Sequence, residues 1–205
     1  MQSRKQTLNS QDLTKKITTK EYFNDAEYEE RRLRYTISRN IDSSMIPERY
    51  KGFSFTDYEE LNDKQKKIKT ACEEFVNRNC EVGLIMVGKN GTGKSMLCSI
   101  ILQELIRNKP HENNGHDSHK RLYTEAIKLV RSIKDTWRNG SQASEQDVID
   151  GYVRPDVLVI DEMGVQYGSP TEAQFITEII NDRYNQKKQT ILSGNVTVLE
   201  MQEIL

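Results

Sequence analysis

A glycine-rich octapeptide at residues 88–95, GKNGTGKS, constrains this chain more than any other feature. It fits the pattern G-x-x-x-x-G-K-[ST] at each constrained position. The apolar run 83–87 before it predicts a buried strand, and the apolar run 96–102 after it predicts the start of a buried helix. A strand, a glycine-rich turn and a helix in this order predict an α/β domain that holds phosphate groups at the turn.

The residue types of this octapeptide suit a nucleoside triphosphate with a magnesium ion. Its glycines let backbone N–H groups surround phosphate oxygens without a clash from a Cβ atom. Lys94 can reach the β- and γ-phosphates, and the Ser95 hydroxyl can bind Mg²⁺. We therefore expect ATP and Mg²⁺ as cofactors. The predicted nucleotide-binding residues are Gly88, Lys89, Asn90, Gly91, Thr92, Gly93, Lys94 and Ser95.

The composition fits one α/β domain with a short extension. The chain has 205 residues, of which 35% are apolar and 30% are charged. It has no apolar run long enough for a bilayer and no apolar stretch typical of a secretory signal after its first residues. Its three cysteines lack CxxC spacing, which suits a reducing compartment, so we expect a cytoplasmic protein without membrane contact. The net charge of −1 argues against a basic surface overall but permits a local basic stripe.

The chain divides by composition near residue 45. Residues 1–45 are polar and charged, with a predicted helix from Glu21 to about Arg39, either simply solvated or docked on a protein partner. Residues 46–205 carry the predicted α/β domain. Its other predicted elements are helices at 62–79, 125–137 and 171–187, strands at 121–124, 157–160 and 189–193, a short helix within 141–154 and a last helix from Val198.

Two acidic residues close the predicted strand at 157–160. Asp161 is expected to hold Mg²⁺ opposite Ser95, and Glu162 to orient or deprotonate an attacking water, because carboxyl ends of parallel strands face the ligand crevice. Alternatively, the two acids only cap the next turn. Asn195, at the tip of strand 189–193, is a candidate contact for the γ-phosphate, with Ser193 as the second choice; a turn-forming Gly-Asn pair is the other interpretation.

These features together resemble the AAA+ ATPases, and among them the DnaC-type replicative helicase loaders, with the IstB-type transposition ATPases as near relatives. The match extends from about Phe53 to Leu205. Its most specific segments are IKDTWRN at 133–139 and VLVIDEMGVQ at 157–166. The resemblance implies a three-layer P-loop NTPase (AAA+) fold, with a five-stranded parallel sheet between helices and a helical N-terminal extension.

The resemblance also implies roles for single residues. Phe53 and Phe55 fall in the segment that borders adenine in this family, and Asn195 falls where the family carries the sensor 1 residue. The helix 125–138 corresponds to an element that lines a channel for single-stranded DNA. The candidate DNA-binding residues are Lys128, Arg131, Lys134 and Arg138 for phosphates, Trp137 for base stacking, and Ser169. The alternatives are core packing for Trp137 and an ordinary solvated face for the basic residues.

The resemblance implies a hexameric replicative helicase as partner, bound through residues 1–45. The first functional hypothesis is therefore a primosome component that uses ATP to load this helicase onto single-stranded DNA. A second is an IstB-like transposition ATPase that acts on duplex DNA. A third is a truncated, non-catalytic protein that binds the helicase and inhibits loading.

In this family the chain continues beyond the point that corresponds to Leu205. The continuation carries an arginine that reaches the γ-phosphate of a neighbouring subunit, a last strand and the sensor 2 arginine. Without these segments we expect a domain incomplete at its C-terminus, with the P-loop strand at a sheet edge and ATP hydrolysis close to background. We still expect self-association, but the absence of the arginine that would reach a neighbouring subunit argues against a closed ring.

Overall fold

The computed structural model describes residues 25–78, 83–110, 121–138, 140–164 and 170–204. None of the helices in these ranges is long and apolar enough to cross a bilayer. The helices are α1 (Asp25–Ser43), α2 (Asp63–Asn77), α3 (Lys94–Asn108), α4 (Ala126–Asp135), α5 (Glu145–Val153), α6 (Pro170–Asn185) and α7 (Val198–Ile204). The strands are β1 (Leu84–Val87), β2 (Arg121–Glu125), β3 (Val157–Met163) and β4 (Gln189–Gly194).

The four strands form one parallel sheet in the order β1-β4-β3-β2. Within the described ranges, β1 pairs with β4 alone, so the strand before the P-loop lies at an edge, as expected. Ile85 of this strand is 51% exposed. The parallel α/β fold predicted from the sequence is confirmed, with four strands in the described part of the chain.

Helices cover both faces of the sheet and make three layers. Alternate residues of the central strand β3 point to opposite faces, and both sets are buried. Val157 and Val159 pack in one cluster with α2 and α3, whereas Leu158 and Ile160 pack in a second cluster with α4, α5 and α6. The continuous apolar run at 157–160 therefore reflects a strand that is buried on both sides.

Within α1, the chain divides after Tyr35 into two compact units, residues 1–35 and residues 36–205. The described part of the first unit is the start of α1. It exposes Tyr28, Leu33 and Tyr35 and contains an ion pair between Arg34 and Glu30. The domain boundary at residue 45 and its partner-binding role stay predictions.

Arg183 of α6 is a fully buried charge at the amino end of the strands. Its guanidinium donates to the carbonyl oxygens of Val153 at 3.1 Å and Pro155 at 2.6 Å, to the Gln189 carbonyl, and to the Thr190 hydroxyl at 3.0 Å. Burial lowers the pKa of Arg183 to about 10, so it remains protonated at neutral pH. This one side chain therefore joins α6 to the end of α5 and to the start of β4.

We expect Arg183→Lys to lower the free energy of unfolding by about 3 kcal/mol, because an ammonium group lacks the planar array of donors and leaves buried carbonyls unpaired. Urea denaturation followed by circular dichroism measures the loss. Arg154→Lys is the matched control, since the Arg154 side chain is exposed and makes a surface ion pair with Asp150 at 3.5 Å. Equal midpoints for the two variants would contradict the structural role of Arg183.

Candidate functional site

A cavity of about 410 Å³ lies at the carboxyl ends of β1, β3 and β4. Ligands bind at this edge in open α/β sheets, because loops and helix N-termini converge there. The cavity brings together the P-loop, both predicted acids and Asn195. Its lining residues are Arg49, Tyr50, Asn90, Gly91, Thr92, Gly93, Lys94, Ser95, Asp161, Glu162, Gly194 and Asn195.

The P-loop turns directly into α3 at Gly93. This glycine has φ +84°, and a Cβ atom there would lie 2.8 Å from Cε2 of Tyr58, so both conformation and space favour glycine. The Lys94 ammonium donates to the carbonyl oxygens of Gly88 at 2.7 Å and Lys89 at 2.9 Å. The lysine charge and the free N–H groups at the start of α3 therefore lie at the same turn, which suits an anion.

Asp161 is a buried carboxylate with two hydrogen-bond donors. Oδ1 accepts from the backbone N–H of Glu162 at 2.9 Å, and Oδ2 accepts from the Tyr123 hydroxyl at 2.5 Å. Burial, and then the negative charge of Asp161, raises the pKa of Tyr123, so its hydroxyl stays protonated and donates. Ser95 also lies near this hydroxyl. The structure thus places Ser95 and Asp161 on the same side of the molecule.

The carboxylate oxygens of Asp161 and the hydroxyl oxygen of Ser95 are suitable ligands for a magnesium ion. In the described part of the chain Asp161 makes no ion pair, and a buried carboxylate without one is suited to a bound cation. The described residues contain no group of three or more His, Cys, Asp or Glu side chains that could hold a metal alone. Mg²⁺ commonly takes one or two protein oxygens and completes its shell with phosphates and water, so Ser95 and Asp161 suffice.

The end of β3 is irregular at the second acid. The strand continues to Met163, one residue beyond the two acids with which the sequence predicted it to end, and its register against β4 shifts between Ile160 and Met163. Glu162 has φ +58°, a strained conformation for a non-glycine residue, and its exposed side chain lines the cavity. At this irregularity Asp161 is buried and Glu162 is exposed, and both residues line the cavity.

Gly194 lets β4 approach this irregular segment. A Cβ atom on Gly194 would lie 2.6 Å from the carbonyl oxygen of Met163. The Gly194 carbonyl accepts a hydrogen bond from the N–H of Gly88 at 3.3 Å. Asn195 follows at once and is exposed on the cavity wall, whereas Ser193 is fully buried near the Cys98 thiol and is not a lining residue. Of the two candidates on this strand, Asn195 is the one that reaches the cavity.

The outer wall of the cavity is formed by the segment that contains Arg49 and Tyr50, and the sequence analysis did not predict the contacts of this segment. Arg49 and Tyr50 line the cavity, with the Arg49 guanidinium 4.6 Å from the centre of the Tyr50 ring. Phe53 and Phe55 are half-buried, pack against the core beside α3 and are not lining residues, so their adenine contact stays a prediction. Gln103 of α3 fixes this segment, because its amide donates to the Tyr50 carbonyl at 2.9 Å.

The basic residues of α4 are exposed or half-buried, and most have acidic neighbours. Lys128 pairs with Glu125 at 2.7 Å and Arg138 with Asp135 at 3.2 Å. Lys134 pairs with Glu172 of α6. Arg131 is exposed and makes no ion pair with the described part of the chain. The four residues therefore lie on or beside one helix, but their charges are partly compensated.

Trp137 lies just beyond the end of α4 and is 56% exposed. Its indole N–H donates to Glu145 at 2.6 Å, and its ring centre lies 6.1 Å from that of Phe175. Core packing therefore does not explain this tryptophan, while its ring remains accessible. Ser169, the remaining predicted DNA contact, lies outside the described residues.

The whole chain, residues 1–205, matches the family model described as IstB-like ATP binding protein. Two relatives are described as replicative helicase loader DnaC. The one from Buchnera aphidicola subsp. Acyrthosiphon pisum is 32% identical over 173 residues, which cover 82% of this chain and 66% of the relative. The one from Buchnera aphidicola subsp. Baizongia pistaciae is 30% identical over 163 residues, which cover 78% and 62%. This chain thus spans 62–66% of the length of these relatives.

The fold is similar to a solved structure described as the DnaC helicase loader. The TM-score is 0.63 at 23% identity, and the match covers 77% of this chain and 88% of that chain. This likeness supports the AAA+ P-loop fold that the sequence predicted.

We expect Gly194→Ala to destabilise the protein by about 2 kcal/mol, because the new Cβ must displace the Met163 carbonyl beside Asp161 and Glu162. Gly151→Ala is the control. Gly151 lies in α5 with open space where an alanine methyl group would be, so alanine there should stabilise by about 0.8 kcal/mol. Thermal denaturation compares the two variants, and a Gly194→Ala protein as stable as the wild type would contradict the close approach of β4 to β3.

Proposed function

The chain belongs to the IstB-like ATP-binding protein family, and we propose that it binds ATP with Mg²⁺ and places a replicative helicase on single-stranded DNA. The observation that most supports this proposal is the convergence of the P-loop, Asp161 and Asn195 on one cavity. The two relatives described as replicative helicase loader DnaC favour loading over other uses of ATP.

Each wall of the cavity has a proposed role toward the nucleotide. Backbone N–H groups of residues 88–95 and the Lys94 ammonium bind the phosphates. Ser95 and Asp161 hold Mg²⁺, which neutralises phosphate charge when bound. Glu162 orients or deprotonates water, and Asn195 contacts the terminal phosphate. Arg49 and Tyr50 form the wall on which the remainder of the nucleotide rests, in the neighbourhood of Phe53 and Phe55.

We propose residues 1–45 as the helicase-binding region. In the described part of this region, Tyr28, Leu33 and Tyr35 are exposed on α1. Exposed aromatic and aliphatic side chains on a charged helix suit a protein partner more than they suit solvent. The exposed acids and bases of α1 would then form the polar rim of the contact.

We propose the α4 segment for single-stranded DNA. Lys128, Arg131, Lys134 and Arg138 supply positive charge for phosphates, and the accessible ring of Trp137 supplies a stacking surface. Ser169 is assigned to the same surface by the resemblance alone. The resemblance to the IstB-type transposition ATPases leaves a second candidate function, a transposition ATPase that acts on duplex DNA, and the preference for single-stranded or duplex DNA distinguishes the two.

Lys94→Ala should weaken binding of a fluorescent ATP analogue in Mg²⁺ about 10- to 100-fold, because a charge-assisted contact to phosphate is lost. The same substitution should abolish any ATP-dependent comigration with the replicative helicase of the same cell in size-exclusion chromatography. Lys67→Ala, at an exposed position of α2, is the control and should behave as the wild type. Wild-type affinity in Lys94→Ala would overturn the nucleotide site, and absence of any helicase complex would overturn the loader assignment.

Trp137→Ala should weaken binding to labelled oligothymidine about 5- to 100-fold, the range expected for one stacked base. Tyr184→Ala is the control, since Tyr184 is an aromatic residue that is 81% exposed on α6. Fluorescence anisotropy with single-stranded and duplex DNA measures both variants. A wild-type preference for duplex DNA would favour the transposition ATPase, and equal affinities of the two variants would remove Trp137 from the DNA surface.

A further inference from the structure

Tyr123 lies on the sheet face that carries the metal-binding carboxylate. Its Cα pairs with that of Val159 in the register between β2 and β3, and its side chain packs in the cluster that contains Val157 and Val159. Because side chains alternate along a strand, Asp161 belongs to this same face. The Tyr123 side chain therefore extends diagonally along β3 toward Asp161, beneath α3.

The two hydrogen bonds of Asp161 fix the plane of its carboxylate. The Tyr123 hydroxyl donates to Oδ2 at 2.5 Å and the backbone N–H of Glu162 donates to Oδ1 at 2.9 Å. Rotation of the carboxylate would break both bonds. Each carboxylate oxygen still has lone-pair capacity for a further partner, so this arrangement orients the group without saturating it.

Tyr123 is itself held in one position. It is 3% exposed and packs against apolar residues of the core cluster around α3. Its hydroxyl donates to Asp161 and lies near Ser95, and these are the two protein groups that we propose hold Mg²⁺. A rigid donor of this kind, placed behind a metal-binding carboxylate, is the usual means by which proteins orient such a ligand.

We propose that Tyr123 is a positioning residue that orients Asp161 for Mg²⁺-dependent nucleotide binding. This inference rests on the proposed nucleotide site and adds a residue from β2, a strand that contributes no lining residue to the cavity in the described structure. Tyr123 acts through Asp161 and does not touch the nucleotide itself.

The test compares nucleotide affinity with Mg²⁺ and with EDTA, using a fluorescent non-hydrolysable ATP analogue and the full chain. Tyr123→Phe should reduce the gain in affinity that Mg²⁺ gives by about 10-fold or more, while the affinity in EDTA stays as in the wild type. In an Asp161→Ala background, Tyr123→Phe should add no further loss, because the two groups act as one unit. Tyr152→Phe is the control, since it removes a hydroxyl paired with Ser132 at 3.0 Å, and neither residue lines the cavity.

Each result decides a separate question. Absence of a Mg²⁺-dependent gain in the wild type would reject the proposed nucleotide site and the inference together. The inference alone would be rejected if Tyr123→Phe kept the full increase in nucleotide affinity that Mg²⁺ gives the wild type. It would also be rejected if the variant lost the same affinity with and without Mg²⁺. Tyr123→Leu serves as a second variant without the hydroxyl. If neither variant gives the wild-type circular dichroism spectrum, Tyr123 determines folding rather than ligand orientation, and the inference is rejected.

Discussion

The backbone contact between Gly194 of β4 and Met163 of β3 sets the position of the candidate site. The two strands approach so closely that a Cβ atom on Gly194 would lie 2.6 Å from the Met163 carbonyl oxygen. The Gly194 carbonyl also accepts from Gly88, the first P-loop residue. Gly194 therefore pairs with the carboxyl ends of both β1 and β3. The P-loop, the acids of β3 and Asn195 line one cavity beside this contact.

Two buried charged residues lie at opposite ends of the central strands, and they differ in the partners that surround them. Arg183 at the amino end is surrounded by backbone carbonyl oxygens and one hydroxyl, so its hydrogen-bonding capacity is used by the fold. Asp161 at the carboxyl end has two donors and no cationic partner in the described residues. A buried charge without a counterion is costly unless a ligand supplies one. The first charge therefore stabilises the chain, and the second is suited to a cation.

The sequence predicted those features of the fold and the site that depend on a local pattern of residues. The P-loop, the doubly buried strand β3 and its acids were placed correctly because glycine spacing and apolar runs are local signals. The contact between Tyr123 and Asp161 depends on strand order and register, which no local pattern specifies. The cavity wall at Arg49 and Tyr50 depends on how the segment before α2 packs on α3. The adenine contact of Phe53 and Phe55 stays a prediction, because both side chains pack against the core and neither lines the cavity.

The charge of α4 would limit the binding of single-stranded DNA that we propose for this helix. Lys128, Lys134 and Arg138 each have an acidic neighbour, so a DNA phosphate would have to compete with or share each of these pairs. Arg131 has no such competitor in the described structure. The net gain in free energy per phosphate would therefore be smaller than for basic side chains without acidic neighbours, and stacking on Trp137 would supply a larger share of the proposed affinity for DNA. Because the indole N–H already donates to Glu145 at the start of α5, the ring would lose little rotational freedom on the proposed binding of DNA.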